Sequence, residues 1–181
     1  MKKIMFICIA ISAFVYAQNP FKAPPISQSL KQTYLEAIND VRTQRQHCGR
    51  YGIKPAARAL KWSDELYKAA LEHSNDMAAS GNFSHKGSGK KTDWTCKIVG
   101  KQSNVKDRVI NNGYEKCGSI GENIAAGTSQ DSAAKAIQMW LRSPEHCAIL
   151  MNPAYKKAGM AMSQNRQSKY IYYWTQVFSD H

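Results

Sequence analysis

Three side chains capable of acid–base or metal chemistry stand out in this sequence: His85 in "NFSH", Glu122 in "GSIGENIAAG" and His146 in "WLRSPEHCAIL". Two imidazoles and a carboxylate can hold a divalent ion, or divide the work of a general base and a general acid. Each also has an ordinary structural role. A histidine at a helix–loop junction is commonly satisfied by a backbone carbonyl, and histidine is only moderately exposed on average. A carboxylate between glycines is commonly a solvated loop residue. Here the apolar Ile120 and Ile124 beside Glu122 point to partial burial, where it needs a partner. His146 falls in the first turn of a short helix, where positive charge is disfavoured, so its ring is expected neutral and able to bind metal or accept a proton.

The remaining candidates are weaker. His73 shares the apolar face of a helix and reads as a core or cleft-edge residue, and His47 abuts Cys48 with no evident partner. Ser84 and Ser143 are possible nucleophiles, but neither sits in a GxSxG elbow and Ser143 suits a helix cap, which sets serine-hydrolase chemistry aside. No phosphate-loop or dinucleotide fingerprint occurs. Asn82-Phe83-Ser84 is a formal glycosylation sequon.

The elements that must position these residues follow from periodicity and caps. Lys2 and Lys3, the apolar run Ile4 to Val15, and Val15-Tyr16-Ala17 read as a secretory signal over residues 1–17, cleaved after Ala17. That run is too short to span a membrane, and no later stretch is long enough. Cys8 lies in mid-run behind Phe6 and Ile7, which argues against a lipoprotein anchor. Residues 18–28, with Pro20, Pro24 and Pro25, read as a flexible arm before one domain over 29–181.

Leu30, Tyr34, Ile38 and Val41 have helical spacing, in a helix running toward Cys48-Gly49. A second helix starts at the Ser63 cap and ends at Gly81. A long surface loop over 86–103, a short helix ending at Gly113, and a second loop from Tyr114 through "GSIGEN" follow. Ser129 or Ser132 opens another helix, and Ser143 and Pro144 start a short one. "AGMAM" and "KYIYYWTQVF" are β-prone, with "SQNRQS" as their hairpin connection. Helices first and strands last predict an α+β domain with helices packed on a small antiparallel sheet.

Charge and cysteine content narrow the setting. The formal net charge is +12; Lys2 and Lys3 supply two of these charges, which leaves +10 after the signal. A basic chain favours an anionic neighbour. No dense Lys/Arg tract or aromatic–basic ladder appears, which argues against nucleic acid as the partner. Without the signal, Cys48, Cys96, Cys117 and Cys147 remain. An even count in an exported chain reads as two disulfides, and the lack of any CxxC pair argues against a structural zinc motif.

In order and interval, "FSH", "GENIAAG", "MWLRSPEHCAILMNP" and "YYWTQVF" resemble the CAP superfamily, which includes cysteine-rich secretory proteins and plant pathogenesis-related proteins. The resemblance covers about Leu30 to Phe178, and "SPEH" before "ILMNP" is similar to the bacterial branch. It implies a three-layer α-β-α sandwich with a central cleft. Eukaryotic members carry two histidines and two glutamates there. His85 matches the first histidine and Glu122 the first glutamate. Ser143 stands at the second glutamate's place and Tyr173 at the second histidine's, while His146 resembles a histidine of bacterial members.

The resemblance thus implies a cleft of His85, Glu122 and His146 as candidate catalytic residues, with Ser143, Tyr173 and Gln176 as ligand contacts. Tyr173 and Gln176, three apart, face opposite sides of an ideal strand. If the cleft holds an ion, zinc on His85 and His146 with a carboxylate or water is the expectation. The family layout brings Cys48 to Cys147; Cys96 and Cys117, both in the loops flanking the short helix, are then expected to pair as a local bridge. Members have been linked to sterol or lipid binding, antimicrobial defence, channel blocking and proteolysis. Two functions are therefore carried forward for a secreted monomer, extracellular or periplasmic. One is a binding module for a lipid, glycan or anionic polymer of the envelope. The other is a hydrolase using His85, Glu122 and His146, for which the sequence offers no clear nucleophile.

Overall fold

The computed structural model describes residues 21–115 and 118–181. The expected signal over 1–17 lies outside these residues. So does Cys117, and with it the Cys96–Cys117 pairing.

Helix α1 (Gln28–Arg42) is capped by the Ser27 hydroxyl, which accepts from the Leu30 N–H. It ends six residues before Cys48, not at Cys48-Gly49. The reason is Arg42, fully buried at the last turn, whose guanidinium donates to the carbonyls of Arg58, Leu150 and Asn152. The chain then makes a two-residue hairpin, β1 (Gln46–His47) with β2 (Ile53–Lys54). Next come β3 (Lys61–Trp62) and α2 (Asp64–Ser80), which runs from the Ser63 cap to Gly81. Two short helices follow, α3 (Cys96–Val99) and α4 (Val105–Asn111); Asn104 and Asp107 form a reciprocal capping box for α4. Strand β4 (Ile120–Gly127) occupies the segment expected as a "GSIGEN" loop. Helices α5 (Ala133–Arg142) and α6 (Pro144–Leu150) precede β5 (Lys157–Gln164) and β6 (Tyr172–Ser179).

The sheet order is β3-β5-β6-β4. Its three long strands are antiparallel, and β3 adds a two-residue parallel ladder to β5. Side chains alternate across β6 and thereby build two cores. Tyr173, Thr175 and Val177 face α2, where they meet Met77, Ser74 and Leu66. Trp174 and Phe178 face the other way, against Tyr34, Ile38, Ile137 and Trp140 of α1 and α5. Three layers result. The α2 layer sits very close: a Cβ on Gly159 of β5 would lie 2.1 Å from the Tyr67 backbone nitrogen.

Helix α2 is buried nearly all round, because the 84–104 segment and α4 cover its outer side. Its polar residues are therefore committed inside the protein, as burial requires. Glu72 accepts from the Thr95 N–H and the Asn112 amide. Asp76 accepts from the Ser88 N–H and hydroxyl and from the Thr92 hydroxyl. Cys48 and Cys147 form a disulfide, both fully buried beside Met151, linking the hairpin after α1 to α6. Cys96 bonds to no other described cysteine. Among the described residues, no helix is long and apolar enough to cross a membrane.

Candidate functional site

His85 follows directly from the end of α2. Gly81 takes a left-handed conformation (φ 73°) and returns its N–H to the Met77 carbonyl, which turns the chain back over the helix. The Ser84 carbonyl meets His73 Nε2 at 2.8 Å. The next residue, His85, then projects toward β4. Its Nδ1 lies 2.9 Å from Glu122 Oε1. A carboxylate only accepts, so Nδ1–H donates and Nε2 is left facing solvent on a ring whose side chain is 54% exposed.

Glu122 sits on the α2-facing side of β4, and its second oxygen receives Arg108 Nη2 at 2.8 Å. Arg108, on α4, is fully buried. Nη1 reaches the Ser103 carbonyl and hydroxyl, and Nη2 also reaches the His85 carbonyl. One guanidinium thus fixes the carboxylate, the backbone of its histidine partner and the end of the covering loop. Burial alone would raise the Glu122 pKa, but the Arg108 charge overrides it and holds the carboxyl at about 2. Burial drives His73 down to about 4, with the Arg108 charge adding to the effect. The His73 ring is therefore neutral at pH 7, as a histidine bonded to a carbonyl within a core should be.

His146 is half-buried on α6. Its carbonyl accepts from the Asn123 amide, but its ring bonds to neither His85 nor Glu122. Burial lowers its pKa and the nearby His85 charge lowers it further, against the opposing Glu145. A cavity of about 400 Å³ opens at the exposed edge of β4, lined by His85, Lys86, Asn104, Glu122, Ile149 and Tyr155 among others. His146 is not part of that lining; α6 contributes Ile149 instead. Hollows of about 420 Å³ along α5 and 450 Å³ beside α1 contain no histidine.

The expected ligand contacts lie elsewhere. Tyr173 is fully buried under α2, and Gln176 is buried on the opposite face beside Asn123. Strand alternation separates them and keeps both out of the cavity. Ser143 is the junction of α5 and α6, but its hydroxyl makes no cap bond; backbone bonds and Pro144 at the first helical position set the start of α6. It does not line the cavity either.

Zinc fits this donor set poorly. Both Glu122 oxygens are engaged, one of them by a guanidinium that repels cations. Among the described residues no three His, Cys, Asp or Glu side chains are placed to hold an ion. The residue that the sequence reading missed is Arg108. Its signal was present: Val105, Arg108, Val109 and Asn112 share one face of α4, and an arginine in such a stripe must be buried and paired.

The two perturbed groups set a pH dependence. His73 titrates near 6.5 when unfolded and about 4 when folded, so the unfolded chain binds more protons in that window. Stability should fall as pH drops from 6.5 toward 4, by about 3 kcal/mol from His73. It should fall again from about 4.5 toward 2 as Glu122 protonates. Glu72, raised by burial, acts in the opposite sense and offsets part of this. Urea unfolding at pH 7.5, 5.5 and 4.5 checks it: the fall over that range should shrink in His73→Gln. Equal stability of the wild type at pH 7.5 and 4.5 would contradict it.

Comparison with known proteins agrees with this architecture. A family model described as "Cysteine-rich secretory protein family" matches residues 35–178. A curated relative, the uncharacterized membrane protein YlbC of Bacillus subtilis (strain 168), is 28% identical over 126 residues, 70% of this chain and 30% of that protein. The chain thus spans less than a third of that relative. An extracellular SCP-domain protein from Bacillus anthracis superposes with a TM-score of 0.59 at 22% identity, over 91% of this chain and 48% of that one. An outer surface protein from Borrelia burgdorferi gives 0.59 at 18% identity, over 86% and 94% of the two chains.

Proposed function

Because the chain belongs to the cysteine-rich secretory protein family, we propose that it acts outside the cytoplasm as a binding module, holding an anionic group of an envelope lipid, glycan or polymer in the His85–Glu122 cleft. The observation that carries this reading is the chemistry left over in the cleft. The Glu122 charge is balanced by Arg108, so the polar groups left to the cleft are those of Lys86, Asn104 and the His85 ring, set among the apolar Val105, Ile120, Ile149 and Tyr155. Such a lining suits a ligand rich in acceptors. The extracellular and outer-surface relatives lend support for the compartment.

A hydrolase is the second reading, favoured by one feature. An imidazole held by a carboxylate with its far nitrogen free is the arrangement of a general base. Among the described residues that line the cleft there is no serine or cysteine for the base to activate.

The test follows the His85 ring by NMR while inorganic phosphate is added at pH 7.5. A saturable shift at His85, absent at His73, is the expected result. No shift at His85 would remove the cleft as an anion site. Calorimetric titration of zinc should show no heat that depends on His85. Heat lost in both His85→Ala and His146→Ala would instead support a metal-assisted hydrolase.

A further inference from the structure

The cleft is bounded on one side by strand backbone, and that backbone points into it. In an antiparallel pair, successive residues turn their N–H and C=O groups alternately toward the partner strand and away from it. Ile120 lies opposite Ser179, and Glu122 opposite Val177. One step before them the Asp180 N–H donates to the Ser119 carbonyl, so Ser119, Gly121 and Asn123 are the residues turned toward β6. Ile120, Glu122 and Ile124 therefore turn their backbone groups outward. The Trp140 indole agrees with this, donating from α5 to the Ile124 carbonyl at 2.9 Å. β4 ends the sheet on this side, and among the described residues no backbone group pairs with Ile120 or Glu122 there. Both residues line the cavity. Its two walls match the two faces that an added strand would show. The Glu122 side chain marks one face, and His85, Lys86 and Asn104 stand on that side. Gly121 marks the other, where a Cβ would lie 2.2 Å from the Tyr155 hydroxyl, and Ile149 packs in the same core.

We propose that the cleft takes an extended polypeptide segment as an added strand on the outer edge of β4, with acidic side chains turned toward His85 and Lys86 and apolar ones toward Ile149 and Tyr155. The inference rests on the anion-binding reading of the cleft and names the bearer of the anionic group as a peptide. The strand backbone chooses this occupant. Ile120 and Glu122 each offer one donor and one acceptor, repeated at the two-residue interval of a strand, about 7 Å. A second extended peptide repeats donor and acceptor at the same interval and satisfies all four groups. A phosphodiester offers acceptors alone and would leave both carbonyls unmatched. The walls add the side-chain rule, since an added strand sends alternate side chains to opposite faces. The site is short because α5 and α6 close over the rest of the edge. Trp140 takes the Ile124 carbonyl, and the Asn123 amide holds α6 by the His146 carbonyl.

The test is anisotropy of a labelled heptapeptide that alternates glutamate with valine, at pH 7.5. Its backbone amides form two sets, and in an added strand only one set faces β4. Two isomers are compared, one N-methylated at the glutamate amides and one at the valine amides. One isomer should bind at least about tenfold more weakly than the parent, and the other should stay within about threefold. Loss in the glutamate set reports antiparallel addition, and loss in the valine set parallel addition. On the protein side, Ile120→Pro removes one outward N–H at the first residue of an edge strand, where proline is tolerated. It should weaken the peptide about fivefold or more with little change in the urea midpoint. If that variant does not fold, the two isomers still decide. Equal losses in both isomers, or no binding of the parent peptide, overturn the proposal. Tighter binding of a hyaluronan tetrasaccharide or of phosphatidylglycerol vesicles than of the peptide also overturns it. The cleft reading is judged separately: if His85 still shifts with inorganic phosphate while both isomers bind like the parent, the strand inference fails and the anion site stands.

Discussion

Arg108→Met should be among the most destabilising single changes in the protein, costing about 3–5 kcal/mol. The substitution leaves the buried Glu122 charge without its counterion and removes donors from the carbonyls of Ser103 and His85. Methionine fills much of the volume, so the loss reports electrostatics and hydrogen bonding more than a cavity. For a domain of this size the midpoint should drop by about 10 °C or more. Burial would then raise the Glu122 pKa, and the variant should be relatively more stable at pH 5 than at pH 8, the reverse of the wild type. Urea unfolding of Arg108→Met, Glu122→Gln and the double variant completes a cycle in which the double loses less than the sum. A loss under 1 kcal/mol in Arg108→Met, with simple additivity, would show that the pair does not hold the cleft.

Removing the Cys48–Cys147 bridge as Cys48→Ala/Cys147→Ala should cost about 4–5 kcal/mol, since it closes a loop with a sequence separation of 99. Most of this cost is borne by the unfolded chain, which regains the freedom of the whole span between α1 and α6. Alanine is the right probe because both positions are fully buried and a serine hydroxyl would add an unsatisfied polar group. The measurement is equilibrium unfolding in urea, where the midpoint should fall and the slope rise, as a less constrained denatured state exposes more surface. An unchanged midpoint would mean that α6 is anchored by packing alone.

Much of this architecture was legible where local chemistry and tertiary role agree. Ser63 and Gly81 bracket α2 in sequence and in structure, and Ser132 and Pro144 do the same for the starts of α5 and α6. Strand β4 was not legible, because "GSIGENIAAG" has the composition of a loop. Its small residues answer a different demand. A Cβ on Gly121 would lie 2.2 Å from the Tyr155 hydroxyl, and Ala125 is wholly buried in the α1–α5 core, so the strand is thin where its neighbours crowd it. The end of α1 was misplaced because Arg42 reads as a surface cation, and only the carbonyls brought by distant segments make it an interior one. At the site, His85 and Glu122 were marked by their motifs. Arg108 has no motif around it; its only signal is a charge inside a helical stripe, which resembles a surface residue until burial obliges it to be paired. Tyr173 and Gln176 show the converse: the alternation rule already placed them on opposite faces, and motif position could not override it.

The sheet order carries a consequence for how the chain folds. β5 and β6 occupy the middle of the sheet, yet they are the last two strands in the sequence. Helix α2 lies against both, α1 and α5 rest on Trp174 and Phe178, and among the described residues β4 pairs only with β6. A nascent chain emerging amino-terminus first therefore carries helices that can meet one another, α1 with α5 and α2 with α4, but that lack the centre of the sheet until residue 157 has appeared. The apolar faces of α1, α2 and α5 are completed only by that later hairpin, and the closing contacts span most of the chain. Such topologies nucleate late and slowly. A chain truncated before β5 should show no cooperative unfolding transition.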